Sequence, residues 1–487
     1  MGRFLPAYSM VLLSTLLLGC SPYASRVPDE PFKMPEKFSG TAQGQTPAPL
    51  SGKWWERFND KKLNALMEEA FLRSPDVAQA HERLIQAQAA AGAARASKWP
   101  QLNINAQAAR TRSSGFSAMS AGFSAGALLT GSTFTSYKLS AGASYEVDLW
   151  RRLASTTEAA RLDALASRED LKSIYISISA ELADLYFLAA EERAQIELSE
   201  KTIAAFKETL DRVEERYRAG LVPALDIYQS RQNLARARAQ LPLFEADLDV
   251  TQHGISVLLG RPPEKEITGH AATLKEAPDF SAGLPSRLLL QRPDIRAALL
   301  KVKADDMRAG AAIADRLPAF NLLGDYGGAS ERLSNILDSP NILWNILIEA
   351  ALPVIDGGRR KAEVVRTKAV LRESLSLYRQ TVLTALKEVE DALTRGRSAA
   401  ERIKMLEERV SASEDALRLA LETYLQGLSD YLPVLTEQER FYEAKSELLT
   451  ARRLLISNRI GLARALGGDW TEEAADGRLS GHISRSE

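Results

Sequence analysis

Four histidines, one cysteine and acid pairs such as Glu181/Asp184 and Glu388/Asp391 are the side chains of this 487-residue chain to weigh first for chemistry. A metal site needs several His, Cys or carboxylate ligands at close spacing. His81, His253, His270 and His482 are scattered, and none has a second His or Cys at such a spacing. Glu181/Asp184 and Glu388/Asp391 are three apart, which on a helix puts both acids on one face. Such a pair could act as general acid and base. In stretches this rich in charge it reads as a solvated helix face. The sequence holds no GxxxxGK[ST] phosphate loop, no GxGxxG turn and no HExxH helix. No enzymatic activity, cofactor or metal is expected.

Basic and acidic residues nearly balance, 62 against 63, so no overall field would draw in nucleic acid. Aromatics make up only 7% of the chain, and no basic patch interleaves with them along the sequence. Nucleic-acid binding is not expected. The cysteine is more telling. Arg3 supplies a positive start, residues 11–18 are apolar except for Ser14 and Thr15, and Gly19-Cys20 follow. That pattern is a secretory signal, too short to span a bilayer. Beyond it no apolar run approaches the ~20 residues of a spanning helix. Membrane strands give a far weaker signal and are not excluded by hydropathy.

The elements that would position any site are written twice. Tyr217, Gly220 and Leu221 recur as Tyr424, Gly427 and Leu428, each 207 positions on, and Leu259-Gly260 recur as Leu466-Gly467. Further upstream, Pro75-Asp76 and Pro100 recur as Pro293-Asp294 and Pro318, at an offset of 218. The first copy therefore carries about eleven extra residues between 100 and 150. The small-residue run at 114–132 is the expected place for them, as an exposed loop at the cell surface.

Each copy opens with a helical stretch, 60–97 or 284–315, closed by Pro100 or Pro318. The period then changes to two. Tyr137, Leu139, Ala141, Ala143, Tyr145 and Val147 alternate with polar or small residues, and Leu102, Ile104 and Ala106 alternate with Asn103, Asn105 and Gln107. The second copy repeats this around Phe320 and Leu322, and again from Trp344 to Leu352. Four strands with one apolar face are predicted, each long enough to cross a bilayer. Long helices without proline follow, about 154–217 and 360–425. Their return arms carry a stripe of residues, apolar but for Thr251 and Asn458, spaced alternately three and four apart: Leu234, Ala237, Leu241, Phe244, Leu248, Thr251, Ile255 and Leu258, then Phe441, Ala444, Leu448, Ala451, Leu455, Asn458, Leu462 and Ala465. That is a coiled-coil seam, interrupted by Pro242, which should kink the first arm. Gly220 and Gly427 are placed to end the outgoing helices with a positive φ.

Four amphipathic strands cannot stand alone in a membrane, because their two edges would leave backbone groups unpaired in hydrocarbon. Closure takes at least about eight strands, so several chains must share one barrel. The pattern by itself does not choose between two, three and four copies.

The chain resembles the trimeric outer-membrane efflux proteins, the TolC-like channels, in their lipoprotein branch serving resistance-nodulation-division type pumps. The residues that carry the resemblance are Trp54-Trp55 with Phe58, the stretch GLPSRLLLQRPDI at 283–295, Asp148-Leu149-Trp150, Leu352-Pro353, the two YxxGL turns and ALGGDW at 465–470. The resemblance implies a homotrimeric, twelve-stranded β-barrel, four strands per chain, continued by an α-helical coiled-coil tunnel with a small mixed equatorial region. It implies a lipoprotein box in which cleavage exposes Cys20 for acylation, with Ser21 directing the chain to outer-membrane lipid. The expected organisation is a signal peptide at 1–19, a lipid-anchored segment at 20–59, a first repeat at 60–260, a linker at 261–283, a second repeat at 284–467 and a tail at 468–487.

The function so implied is a passive exit duct of a tripartite efflux system, joined to a periplasmic adaptor and an inner-membrane pump. The pump selects the cargo, whether drug, metal ion or fatty acid. The alternatives are the duct of a type I protein secretion system and a periplasmic coiled-coil scaffold lipoprotein. The resemblance assigns adaptor contact to Gly220, Leu221, Gly427 and Leu428. It assigns a periplasmic gate to Asp226 and Tyr424, whose counterparts bond to each other in related channels. Pro433 and Thr436 stand where some relatives carry acids, leaving Asp430 as the nearest candidate for a three-fold acidic ring. The family also carries Gly after the aromatic of the first strand-to-helix junction, where this chain has Arg151.

Overall fold

The computed structural model describes residues 52–113, 132–264, 285–472 and 474, together with 23, 24, 35, 38, 274, 278–280 and 283. Cys20, the loop at 114–132 apart from Ser132, and most of the 261–283 linker lie outside the described residues. In chain order the main elements are α1 (Lys61–Arg73), α2 (Pro75–Ala96), β1 (Gln101–Ser113), β2 (Ser132–Val147), α3 (Arg152–Arg218), α4 (Ala224–Leu258), α5 (Pro293–Ala314), β3 (Ala319–Ser330), β4 (Ile342–Ala351), α6 (Arg359–Leu425) and α7 (Tyr431–Leu466).

The single opening helix expected in each copy is broken. Ser74, with ψ 129°, leaves the helical region before Pro75, and α2 starts afresh there. A proline ring crowds the residue before it out of the α conformation. The second copy does the same: a helical turn at Leu288–Gln291 stops at Arg292, before Pro293.

The chain divides into two compact units. Met1–Asp29, Gln86–Leu165 and Leu300–Ser376 build one; Glu30–Ile85, Ala166–Leu299 and Leu377–Glu487 build the other. In the first, the four strands form one antiparallel sheet in the order β1-β2-β3-β4. The register puts Leu102 opposite Ala143, Ile104 opposite Ala141, Tyr145 opposite Leu322 and Leu322 opposite Ile348. Side chains alternate along a strand, so these residues share one apolar face. Asn103, Glu146, Asn321 and Glu349 fall on the other. Ile104, Ile346 and Ile348 are each more than 70% exposed, as a lipid-facing surface would be. Among the described residues β1 and β4 each leave one edge unpaired.

The strand-to-helix junctions explain two motifs. Asp148 accepts from the amides of Leu153 and Ala154 at 3.0 and 2.6 Å, capping the start of α3. The Trp150 indole donates to the Pro318 carbonyl at 2.8 Å, tying this junction to the start of β3. Arg151 takes φ 62°, so an L-residue holds the left-handed region at the junction where the resemblance leads us to expect glycine. In the same unit the Tyr23 phenol donates to the buried Asp306 carboxylate of α5 at 2.6 Å.

In the second unit Trp54, Trp55, Phe71 and Trp470 pack edge to face or stacked, with ring centroids 4.8–5.8 Å apart. The seam read from the sequence is at the interfaces: every one of its positions on α4 and α7 is buried or half-buried. α4 carries Pro242 inside one continuous helix. One window inside α3 is long and apolar enough to cross a membrane, against the expectation of none, and 61% of it is buried inside the protein. Tyr175, Leu182, Tyr186 and Phe187 of α3 are the reason: they are core side chains, each at most 2% exposed.

Candidate functional site

Both outgoing helices end in the same hydrogen-bonded turn. The Gly220 amide donates to Tyr217 O at 2.9 Å and the Leu221 amide to Arg216 O at 2.9 Å; Gly427 and Leu428 donate to Tyr424 O and Thr423 O at 3.0 and 2.9 Å. This is the Schellman motif, which requires a left-handed residue after the helix. Gly220 and Gly427 supply it with φ 74° and 75°. In such turns the residue after the glycine often packs back on the last helical turn. Here that turn offers the polar Arg216 and Thr423, and Leu221 and Leu428 stay 65% and 75% exposed. Two leucines are thus presented at the ends of two helical hairpins.

Asp226 and Tyr424 come together between the hairpins. The Tyr424 phenol donates to Asp226 Oδ2 at 3.4 Å, a long O–H···O bond. Both side chains are buried, 8% and 4% exposed. Asp226 sits at the third position of α4, whose N-cap is Pro223, and it accepts no amide bond from the first turn. Burial raises the Asp226 carboxyl above its ordinary range, the negative charge of Asp430 adds to this, and the Tyr424 hydroxyl opposes it. Burial, then the Asp226 charge, pushes the Tyr424 phenol up to about 12, so it remains a donor at neutral pH. Asp430 caps α7 in position only: its side chain bonds no amide, and it is exposed.

Two further residues complete the site. Tyr431 is 2% exposed, with its ring 5.4 Å from that of Tyr424. The Arg216 guanidinium stacks 5.0 Å over the Tyr424 ring and donates to Leu425 O at 2.7 Å, closing the end of α6. Sequence reasoning missed both. Tyr431 falls opposite Ala224 in the repeat and Arg216 opposite Thr423, so the duplication that exposed the turns hid them.

A family model for outer membrane efflux proteins matches residues 66–261 and 284–468. The chain belongs to this family. It is 29% identical over 475 residues to the pyoverdine export outer membrane protein OpmQ of Pseudomonas putida, covering 96% of this chain and 99% of that one. It is 27% identical over 467 residues to the probable outer membrane lipoprotein SilC of Salmonella typhimurium, covering 94% and 97%. The solved outer-membrane channel OprN superimposes with a TM-score of 0.85 at 26% identity, over 93% of this chain and 100% of that one. The efflux protein is therefore an outer-membrane channel component, and its strands and long helices are those of a barrel and a helical tunnel.

Among the described residues of this efflux protein no three His, Cys, Asp or Glu side chains converge as metal ligands. Glu181, Asp184, Glu388 and Asp391 do meet: pairs related by 207 positions line one groove of about 470 Å3. Cations hold three of them. Arg292 bonds Glu388 at 2.7 Å, Lys387 bonds Asp391 at 2.9 Å and Arg453 lies 3.7 Å from Asp184. A GxSxG string does occur, at residues 122–126, outside the described residues. The nucleophile elbow joins a strand to a helix, whereas this string lies between β1 and β2.

Proposed function

We propose that three copies close a twelve-stranded barrel through the free edges of β1 and β4, and that the Asp226–Tyr424 pair latches the periplasmic end of the duct. The observation that carries the latch is the buried bond itself: it joins the start of α4 to the end of α6, and so one hairpin to the other. A phenol-to-carboxylate bond of full strength contributes about 1.5–3 kcal/mol. At 3.4 Å this one is weaker, and about 1 kcal/mol per protomer would bias a closed state without locking it. The exposed Leu221 and Leu428 are apolar contacts for a periplasmic adaptor, which links the duct to an inner-membrane pump. Asp430 adds negative charge beside the latch and in a trimer repeats three-fold. Cys20 carries the acyl chains that supplement the barrel as an anchor.

Planar-bilayer recording tests the gate. Asp226→Ala and Tyr424→Phe should each raise single-channel conductance, and the double variant should gain less than the two together. Unchanged conductance in both single variants would refute the latch, and a protein that never conducts would refute the duct.

A further inference from the structure

The entry to β1 carries side chains that neither the duct nor the gate uses. Arg95 on the last turn of α2 and Lys98-Trp99 in the turn that follows line an open cavity of about 670 Å3 with Tyr145 of β2 and Arg161 of α3. Trp99 is 66% exposed. Tyr145 belongs to the apolar face of the sheet, two residues from Ala143 and opposite Leu322. Exposed Trp and Tyr at the ends of membrane strands lie at the level of the lipid headgroups. Three cations meet them there. Arg161 is held by Glu158 through bonds of 2.9 and 2.7 Å. Among the described residues Arg95 and Lys98 form no ion pair within 4.0 Å, although Glu158, which also lines the cavity, feels the Lys98 charge. The cavity therefore holds an excess of positive charge beside an apolar wall that continues onto the lipid-facing strands.

The helix end alone does not account for this group. Cations near the last turn of α2 would favour its dipole, and α5 keeps such cations in part: Lys98 corresponds to Arg316, and Arg161 of α3 to Lys368 of α6. At the matching positions Arg95, Trp99 and Tyr145 become Ile313, Leu317 and Leu352. The second repeat keeps the fold and two of the cations but lacks both aromatics and the counterpart of Arg95, so those three side chains are particular to the first repeat rather than a need of the junction.

We propose that this cavity binds the headgroup of an anionic phospholipid in the inner leaflet of the outer membrane, an assignment that rests on the reading of the strands as membrane-spanning. Arg95 and Lys98 take the phosphate, and Trp99 and Tyr145 flank the glycerol and the first acyl carbons. The bound lipid fixes the depth at which the barrel sits.

The trimer reconstituted in phosphatidylethanolamine containing a minor fraction of phosphatidylglycerol, then washed in mild detergent, should retain phosphatidylglycerol above its bulk ratio. Arg95→Gln/Lys98→Gln, which removes two cations facing an anionic membrane, should lower that retention about thirtyfold. Lys201→Gln/Arg212→Gln, which removes two exposed charges from α3 well along its length, should leave it unchanged. Equal retention in the Arg95/Lys98 variant, or an equal fall in the Lys201/Arg212 control, would overturn the site. Release of the lipid by inorganic phosphate alone would overturn the lipid assignment in favour of a free-anion site. Brominated acyl chains should quench Trp344 of β4 in every variant; its failure to be quenched would overturn the membrane reading beneath the proposal.

Discussion

The two strand-to-helix junctions offer an internal comparison, because the same bend is written once with arginine and once with glycine. Arg151 takes φ 62°, and Gly358, 207 positions later, takes φ 85°. A left-handed conformation costs an L-residue about 1–2 kcal/mol. Glycine escapes that cost but gives up about 0.5–1 kcal/mol more backbone entropy on folding. A Cβ at Gly358 would meet nothing within 4 Å, so no packing effect obscures the torsional one. Arg151→Gly should then stabilise the protein by about 0.5–1 kcal/mol, and Gly358→Ala should destabilise it by a similar amount. The double variant should return near the starting value if the junctions are independent. The assay is the midpoint of urea unfolding of the purified protein, followed by loss of the heat-resistant oligomer and by circular dichroism. A lowered midpoint for Arg151→Gly would refute the reasoning and show that the arginine side chain, rather than the bend, matters at this junction.

Other outcomes follow from the geometry. Glu192 is buried with one oxygen bonded by Thr251 at 2.9 Å and the other unpartnered, and burial, with the charges of Asp247 and Glu191, raises its pKa from 4.5 to about 7. The folded state thus holds this proton more tightly than the unfolded chain, so the stability it contributes is full below pH ~4.5 and lost as pH rises through ~7. Glu192→Gln should gain on the order of 2 kcal/mol above pH 7 and nothing at pH 4, seen as a flatter pH profile of thermal stability. Leu221→Asp and Leu428→Asp should each leave conductance unchanged while weakening capture of the adaptor in a pull-down. Mass spectrometry should find an acylated Cys20 at the mature amino terminus, and Cys20→Ser should lower oligomer yield more than conductance per channel; an unmodified Cys20 would end the lipoprotein reading.

Features set by local chemistry and periodicity are legible in the amino-acid sequence alone. The strands followed from alternation around Tyr137–Val147, and the seam from the three-four spacing that ends at Leu258 and Ala465. The tip turns followed from Gly220 and Gly427, because a Schellman ending needs a residue free to take positive φ. The break at Ser74 was also written locally, in Pro75, but a strong helical pattern on both sides masked it. Arg151 could not be read this way: nothing in an arginine announces φ 62°. Asp226 and Tyr424 are 198 residues apart, and no periodicity pairs them. Arg216 and Tyr431 join that site only through helix packing. The meeting of Glu181/Asp184 with Glu388/Asp391 likewise depends on how α3, α6 and α7 cross, which a solvated-face reading of each helix leaves open.

The outgoing helices α3 and α6 are each 67 residues long, and the returning helices α4 and α7 are 35 and 36. One residue inserted into a helix advances everything beyond it by about 1.5 Å and turns it by about 100°. An insertion in α3 alone would swing Leu221 and Asp226 away while leaving Leu428 and Tyr424 where they are. Length change in these helices is therefore tolerable only when it is matched between repeats and between the two arms of a hairpin, in steps that keep the seam. The chain records that constraint in its own history: the repeats have drifted apart by about eleven residues before α3 and α6, and by none within them. The long helices behave as paired rulers, free to change sequence and held to a common measure.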